Sequence, residues 1–203
     1  EKEQLEKLHL QSQLDVLKNQ INPHFLFNSL NSLSSLIADD SAKAEEFVDK
    51  LSMVYRYILL HNDRDWVNLQ TELSFINAYF HLLQTRYSEG VQLNLTVPES
   101  QAELLLPPLT LQLLVENAIK HNVVHRNTPL SIDISMGGER ELVISNNLQP
   151  KSKHLVLSHG VGLKNIAERY RIANAGSIVV QEENGLFVVK LPLVAPAKAL
   201  QHL

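Results

Sequence analysis

The sequence has no cysteine among its 203 residues, which excludes a disulfide framework and is compatible with a reducing compartment. No stretch approaches the roughly 18 consecutive apolar residues of a membrane-spanning helix, and no signal peptide pattern is present. Charged residues make up 20% of the chain and the formal net charge is −4, which argues against a broad nucleic-acid-binding face. Because the chain opens on Glu1 within a helix-like pattern, we expect it to be a cytoplasmic piece of a longer protein.

Two kinds of pattern divide the chain near residue 88. Before it, apolar side chains follow helical spacing; from Val91 onward, apolar and polar residues alternate as they do in half-buried strands. Helices are predicted at 3–21, 42–60, 69–86, 109–122 and 162–173, and strands at 91–97, 131–136, 141–145, 177–181 and 186–191. We therefore predict an α+β fold. A helical region that dimerises as a bundle (1–88) precedes an α/β sandwich with a mixed, largely antiparallel sheet (89–194), followed by a tail (195–203).

A histidine that shares a helix face with two asparagines is the first candidate site. His24, Asn28 and Asn31 follow a proline and fall within one stripe at about 100° per residue. Apolar residues occupy the opposite stripe and are expected to be buried: Leu26, Leu30, Leu33 and Ile37. For this segment alone, a histidine that merely sits on a polar face is an equal alternative. Two further segments favour His24 and Asn28 as catalytic residues.

The second segment is the helix predicted after a Pro-Pro pair. Asn117, Lys120 and His121 are three and four residues apart and share one face of it. An amide oxygen such as that of Asn117 can bind a hard cation such as Mg²⁺, and a nearby lysine can offset phosphate charge. Glu116, next to Asn117, is a candidate proton acceptor. Taken alone, this pattern is also typical of a solvated helix face.

The third segment contains two glycines, Gly160 and Gly162, directly before the last predicted helix. Glycine lets the backbone approach an anion closely, and a helix N-terminus offers free N–H groups and the positive end of the helix dipole. No third glycine follows and no parallel βαβ unit surrounds the pair, which excludes the dinucleotide-binding fingerprint. The glycine-lysine pattern of a P-loop is absent as well.

In this order and spacing, the three segments resemble the LytS-like sensor histidine kinases of two-component signalling, over a range from about Leu17 to Pro192. The His24 segment is close to that family's hallmark, residues 115–121 resemble its N-box, and residues 160–165 resemble its second glycine box. The resemblance implies a homodimer that binds ATP with Mg²⁺ held through Asn117 and phosphorylates itself on His24. The phosphoryl group would then pass to an aspartate of a cognate response regulator. A membrane would be reached only through a segment N-terminal to this chain, and residues 147–159 would form a lid over the nucleotide.

The resemblance also implies a set of cofactor-binding positions: Asn117, Lys120, His121, Asn146, Gly160, Gly162, Leu163 and Asn165. Two positions depart from the family pattern. Phe25 follows His24 where many histidine kinases have an acid, so Glu116 becomes the best candidate to take the imidazole proton. Asn146 stands where the family has the aspartate that reads adenine. Its amide oxygen can accept from the adenine amino group, but its NH₂ fits less well than a carboxylate oxygen.

Two other functions stay open at this point. The departures at Phe25 and Asn146 are compatible with a nucleotide-binding or dimerising module whose kinase activity is weak or lost. An ATPase of the gyrase and chaperone type would use Glu116 to activate water, but it would have no need of the His24 segment. A zinc site at His121 and His125 lacks a further ligand to complete it.

Overall fold

A computed structural model of the chain describes residues 23–61, 63–151 and 161–196. The helix predicted at 3–21, Gly160 and most of the expected lid lie outside these residues. The described chain falls into two compact units that divide between His61 and Asp63. Among the described residues, no helix combines the length and the apolar character needed to cross a membrane.

The described part of the first unit contains two consecutive helices, α1 (Pro23–Asp39) and α2 (Ser41–His61), which pack against each other. Asp40 connects them, and its Oδ1 accepts a hydrogen bond from the backbone N–H of Lys43 at 3.1 Å. That bond holds the pKa of the Asp40 carboxyl below its usual value. The buried side of α2 is formed by Ala44, Phe47, Val54, Tyr57 and Ile58.

The apolar stripe of α1, which the sequence predicts as a buried face, is only partly covered among the described residues. Leu30 is 47% exposed and Ile37 is 64% exposed, while Leu26 and Leu33 are half-buried. Among the described residues of its unit, α1 has only α2 to pack against, so part of its apolar surface remains uncovered.

The second unit contains a five-stranded sheet in the order β2-β4-β5-β7-β6. Strands β2 and β4 run parallel, and the other neighbours run antiparallel. The elements in chain order are β1 (Val67–Asn68), α3 (Leu69–Tyr87), β2 (Val91–Thr96), β3 (Leu105–Leu106), α4 (Thr110–His121), β4 (Leu130–Gly138), β5 (Glu141–Asn147), α5 (Val161–Ile172), β6 (Val179–Glu183) and β7 (Leu186–Pro192). The predicted α+β fold with a mixed, mainly antiparallel sheet is confirmed.

The core lies on one face of this sheet, because β4 and β5 bury every second side chain. The buried positions on the two strands are Leu130, Ile132 and Ile134, and Leu142, Ile144 and Asn146. Asn146 is therefore a polar residue at the end of an otherwise apolar row. The strand alternation thus places the predicted adenine-reading position on the core side of the sheet.

Helix α3 belongs to the second compact unit, whereas the sequence pattern groups residues 69–86 with the first region. Its packing explains the difference, since α3 buries Phe75, Ile76 and Tyr79 and contacts α4. The carboxylate of Glu72, which is fully buried, accepts hydrogen bonds from backbone groups at the entry to α4. This division reflects packing alone, and the functional boundary at residue 88 stays a prediction.

Both predicted hairpins are present. The β6–β7 turn has Asn184 at φ 52° and Gly185 at φ 76°, the two positive values that an Asn-Gly hairpin turn requires. Strand β6 begins at Val179, two residues later than the predicted Ser177. In the β4–β5 hairpin, the register shifts at a bulge between Met136 and Gly138, and the turn follows the predicted pair Gly137-Gly138.

Candidate functional site

His24 lies near the start of α1 and its side chain is exposed. The side-chain Nδ2 of Asn28 is 3.2 Å from Nδ1 and 3.3 Å from Nε2 of the imidazole. It can therefore donate to whichever ring nitrogen carries the lone pair. Asn31 is exposed as well, and the ring of Phe25 lies 6.4 Å from that of Tyr55. The structure thus places an amide beside an accessible imidazole, as the spacing in the sequence predicts.

Glu116, the candidate proton acceptor, is a half-buried residue of α4. Its Oε1 accepts two hydrogen bonds, one from the hydroxyl of Tyr79 at 2.7 Å and one from Nε2 of Gln112 at 2.8 Å. No described residue donates a hydrogen bond to its Oε2. Among the described residues, the carboxylate is therefore held by hydrogen bonds at one oxygen only.

Asn117 and Gly162 meet where α4 passes the start of α5. A Cβ atom added to Gly162 would lie 3.4 Å from Nδ2 of Asn117 and 3.6 Å from the Leu113 side chain. Gly162 does not have a positive φ, so close approach rather than backbone conformation explains a glycine at this position. The Nδ2 of Asn117 is buried and has no hydrogen-bond partner among the described residues. Since such a group is normally paired, this amide is a candidate for ligand contact.

This arrangement fits a nucleotide that binds together with Mg²⁺. Mg²⁺ usually keeps several waters and takes only one or two protein ligands beside phosphate oxygens, so one amide at Asn117 is sufficient. Half a turn of the side-chain amide exchanges its nitrogen and oxygen. The adjacent N-terminus of α5, at Val161 and Gly162, offers backbone N–H groups and the positive end of the helix dipole to a phosphate.

The C-terminal end of α4 carries the two basic candidates. Lys120 is exposed, which leaves its ammonium accessible to a phosphate. The Nζ of Lys151 donates to the backbone carbonyls of Ile119 and Lys120 at 2.9 and 3.0 Å. The pKa of His121 is below its usual value because burial disfavours the charged ring, and the charges of Lys120 and Lys151 add to this. His121 is therefore neutral near pH 7.

The remaining predicted positions differ in how exposed they are. Asn146 is 5% exposed, and its Nδ2 donates to the carbonyl of Asn147 at 2.8 Å. Leu163 is also buried, so its side chain packs in the core rather than lying open to a ligand. Asn165 is exposed on α5, and Gly160 lies outside the described residues.

Three residues near the candidate site were not predicted from the sequence: Tyr79, Gln112 and Lys151. Tyr79 and Lys151 reach α4 from distant parts of the chain, and no local pattern indicates such contacts. Gln112 precedes Glu116 by four residues, so helical spacing could have indicated their contact.

Among solved structures, the chain is similar to the histidine kinase domain of the blue-light activated histidine kinase from Erythrobacter litoralis EL346. The two are 15% identical, with a TM-score of 0.49, over 95% of this chain and 98% of that domain. The Acinetobacter baumannii histidine kinase AdeS is 11% identical, with a TM-score of 0.45, over 93% of this chain and 98% of that one. Structural likeness at these scores is too weak to assign the chain to a family.

Sequence similarity is stronger. The histidine kinase family model matches residues 12–91. The sensor histidine kinase/phosphatase LytS, from several strains of Staphylococcus aureus, is 36% identical over 157 residues, or 75% of this chain. The chain spans 27% of the length of these relatives. On this similarity, the chain belongs to the LytS-like family of histidine kinases.

Proposed function

We propose that this chain is the autokinase portion of a sensor histidine kinase, which transfers the γ-phosphoryl group of ATP to His24 and then to an aspartate of a response regulator. The observation that supports this most directly is the meeting of Asn117 with Gly162. An unpartnered, buried amide on α4 lies against the glycine that opens α5, where phosphate and Mg²⁺ are expected.

The chemistry of the first step suits the residues present. A ring nitrogen of His24 uses its lone pair to form the N–P bond, while the bond from phosphorus to the β–γ bridging oxygen breaks and ADP departs. The ring then loses a proton from its other nitrogen. The side-chain amide of Asn28 lies within hydrogen-bond distance of both ring nitrogens and can therefore orient the ring.

The residues proposed to bind ATP and to stabilise the charge on its phosphates belong to the second unit. Bound Mg²⁺ would neutralise charge on the phosphate oxygens. Asn117 would hold that ion, while Lys120 and the first N–H groups of α5 contact the phosphates. Asn146 supports adenine binding, because its Nδ2 already donates to the carbonyl of Asn147. The amide oxygen is then the atom left to accept from the adenine amino group.

The apolar surface of the first unit supports a homodimer. Leu30, Ile37, Met53, Leu59 and Leu60 are all more than a third exposed in the single chain. Apolar residues at this density on paired helices are typical of a bundle that is completed by a second copy. Attachment to a membrane would come through a segment outside this chain, with the present residues on the cytoplasmic side.

The decisive experiment incubates the protein with γ-labelled ATP and Mg²⁺ and measures acid-labile, base-stable label. We expect label on the unmodified chain and on His125→Gln, which alters another exposed histidine, but none on His24→Gln. All three proteins should fold, as judged by circular dichroism. Label that persists on His24→Gln would contradict the assignment of the phosphoacceptor. Absence of label on the unmodified chain, together with measurable ATP binding, would favour the alternative of a degenerate nucleotide-binding module, which Phe25 and Asn146 keep open.

A further inference from the structure

The buried hydroxyl of Tyr79 donates to an acceptor that belongs to the candidate site. Tyr79 is 3% exposed on α3, and its hydroxyl donates to Oε1 of Glu116 at 2.7 Å. Burial, and after it the charge and hydrogen bond of Glu116, raise the pKa of the phenol well above its usual value. Tyr79 therefore stays protonated and remains a donor throughout the pH range in which an imidazole is nucleophilic.

A second donor converges on the same oxygen. Nε2 of Gln112 lies 2.8 Å from Oε1 of Glu116, whereas the Oε1 of Gln112 is buried and has no partner among the described residues. The amide thus donates to Glu116 even though its own oxygen is left without a hydrogen bond. A carboxylate that accepts two hydrogen bonds at one oxygen cannot rotate freely, because rotation would break both.

We propose that Tyr79 is a positioning residue for phosphoryl transfer: its hydroxyl holds the Glu116 carboxylate at Oε1 and leaves Oε2 as the oxygen available to accept a proton. This inference rests on the proposed function, in which the imidazole of His24 loses a proton after the N–P bond forms, and on Glu116 as the acceptor of that proton, the role predicted for it from the sequence. The proton passes to Oε2 and ADP carries away the electron pair of the broken P–O bond, so the step is balanced without any further reactant.

A purely structural role for Tyr79 predicts something different. The ring packs in the interface between α3 and α4, with its centroid 6.1 Å from that of Phe75, and this packing does not depend on the hydroxyl. Tyr79→Phe keeps the ring and removes only the donor. A structural role would lower the melting temperature and weaken ATP binding along with the rate, whereas a positioning role lowers the rate of transfer alone.

The test measures single-turnover transfer from γ-labelled ATP with saturating Mg²⁺ in four variants of the full chain. We expect Tyr79→Phe to lower the maximal rate about tenfold, a fraction of the total contribution of a general base, with the ATP concentration for half-maximal rate changed by less than about twofold. Glu116→Gln should lower the rate further. Tyr79→Phe added to Glu116→Gln should have little additional effect, since residues that act as a unit are not additive. Tyr87→Phe is the matched control, because it removes a phenol hydroxyl from the same helix, and it should transfer at the normal rate.

Each outcome bears on one proposal. If the unmodified chain is labelled and Tyr79→Phe transfers normally, the positioning role is overturned while the kinase assignment stands. The positioning role is also overturned if the effects of Tyr79→Phe and Glu116→Gln multiply, because the two side chains would then act independently. If the unmodified chain takes no label although it binds ATP, the proposed function itself fails, and the role of Tyr79 in transfer fails with it.

Discussion

The backbone at the entry to helix α4 and the Asn117 side chain in its second half differ in how their polar groups are paired. At the entry, the backbone N–H groups of Leu109 and Leu111 donate to the two oxygens of Glu72 at 2.7 and 3.0 Å. Nη1 of Arg169 donates to the carbonyl of Pro108 at 3.0 Å. In the second half, the Nδ2 of Asn117 is buried without a described partner. Satisfied polar groups stabilise a fold, whereas the unpartnered amide of Asn117, at a position that the sequence also indicates, is a candidate for ligand contact.

Two glutamates at the interface of α3 and α4 show the same contrast within one residue type. Glu72 is fully buried, and its two described backbone donors reach different oxygens. Glu116 is half-buried, and its two described donors share one oxygen. The two carboxylates therefore differ in how their described donors are distributed, since both oxygens of Glu72 accept a hydrogen bond and only Oε1 of Glu116 does.

The largest expected effect is on the anchoring carboxylate. Glu72→Ala leaves the N–H groups of Leu109 and Leu111 without their acceptors at the entry to α4. We expect the free energy of unfolding of the second unit to fall by about 2–4 kcal/mol, measured by urea denaturation. Glu116→Gln is the control at the other carboxylate and should change stability by less than about 1 kcal/mol, since an amide oxygen still accepts from Tyr79 and Gln112. Equal losses for the two variants would remove the distinction between the two carboxylates.

A smaller effect is expected at the C-terminal end of α4. Asn122 is 3% exposed; its Nδ2 donates to the carbonyl of Ala118 at 2.8 Å, and its Oδ1 accepts from the backbone N–H of Gln149 at 2.7 Å. Asn122→Ala should lower the free energy of unfolding by about 1–3 kcal/mol. Asn127→Ala, at an exposed asparagine nearby, should change it by less than about 0.5 kcal/mol. A stable Asn122→Ala protein would show that this junction does not hold α4 in place.

The fold was largely predictable because periodicity encodes it. Alternation of burial on β4 and β5, and the Asn184-Gly185 turn, follow directly from side-chain spacing and from the backbone freedom of glycine. The exposure of the apolar stripe of α1 could not be predicted from the sequence. Spacing identifies an apolar face, but it does not say what covers that face.

The candidate site was predictable only in part. Residue types on one helix indicated Glu116, Asn117 and Lys120, because helical geometry brings such neighbours together. The contacts of Tyr79 and Lys151 depend on how distant elements pack, and no local pattern contains that information. The roles of these residues stay predictions until the corresponding variants are measured.

The smallest expected effect on stability concerns Asn117, and it separates the two regions of α4 most sharply. Because the Nδ2 of Asn117 is buried without a described partner, its removal eliminates an unfavourable group rather than a hydrogen bond. We expect Asn117→Ala to keep the free energy of unfolding within about 0.5 kcal/mol of the unmodified chain, or to raise it slightly. Affinity for ATP in the presence of Mg²⁺ should nevertheless fall at least about tenfold, or roughly 1.4 kcal/mol, as measured by calorimetric titration. Titration without Mg²⁺ is the internal control, and there the two proteins should differ much less. A loss of stability comparable to that of Glu72→Ala would place Asn117 with the anchoring groups, and an unchanged affinity with Mg²⁺ would exclude it as the cation ligand.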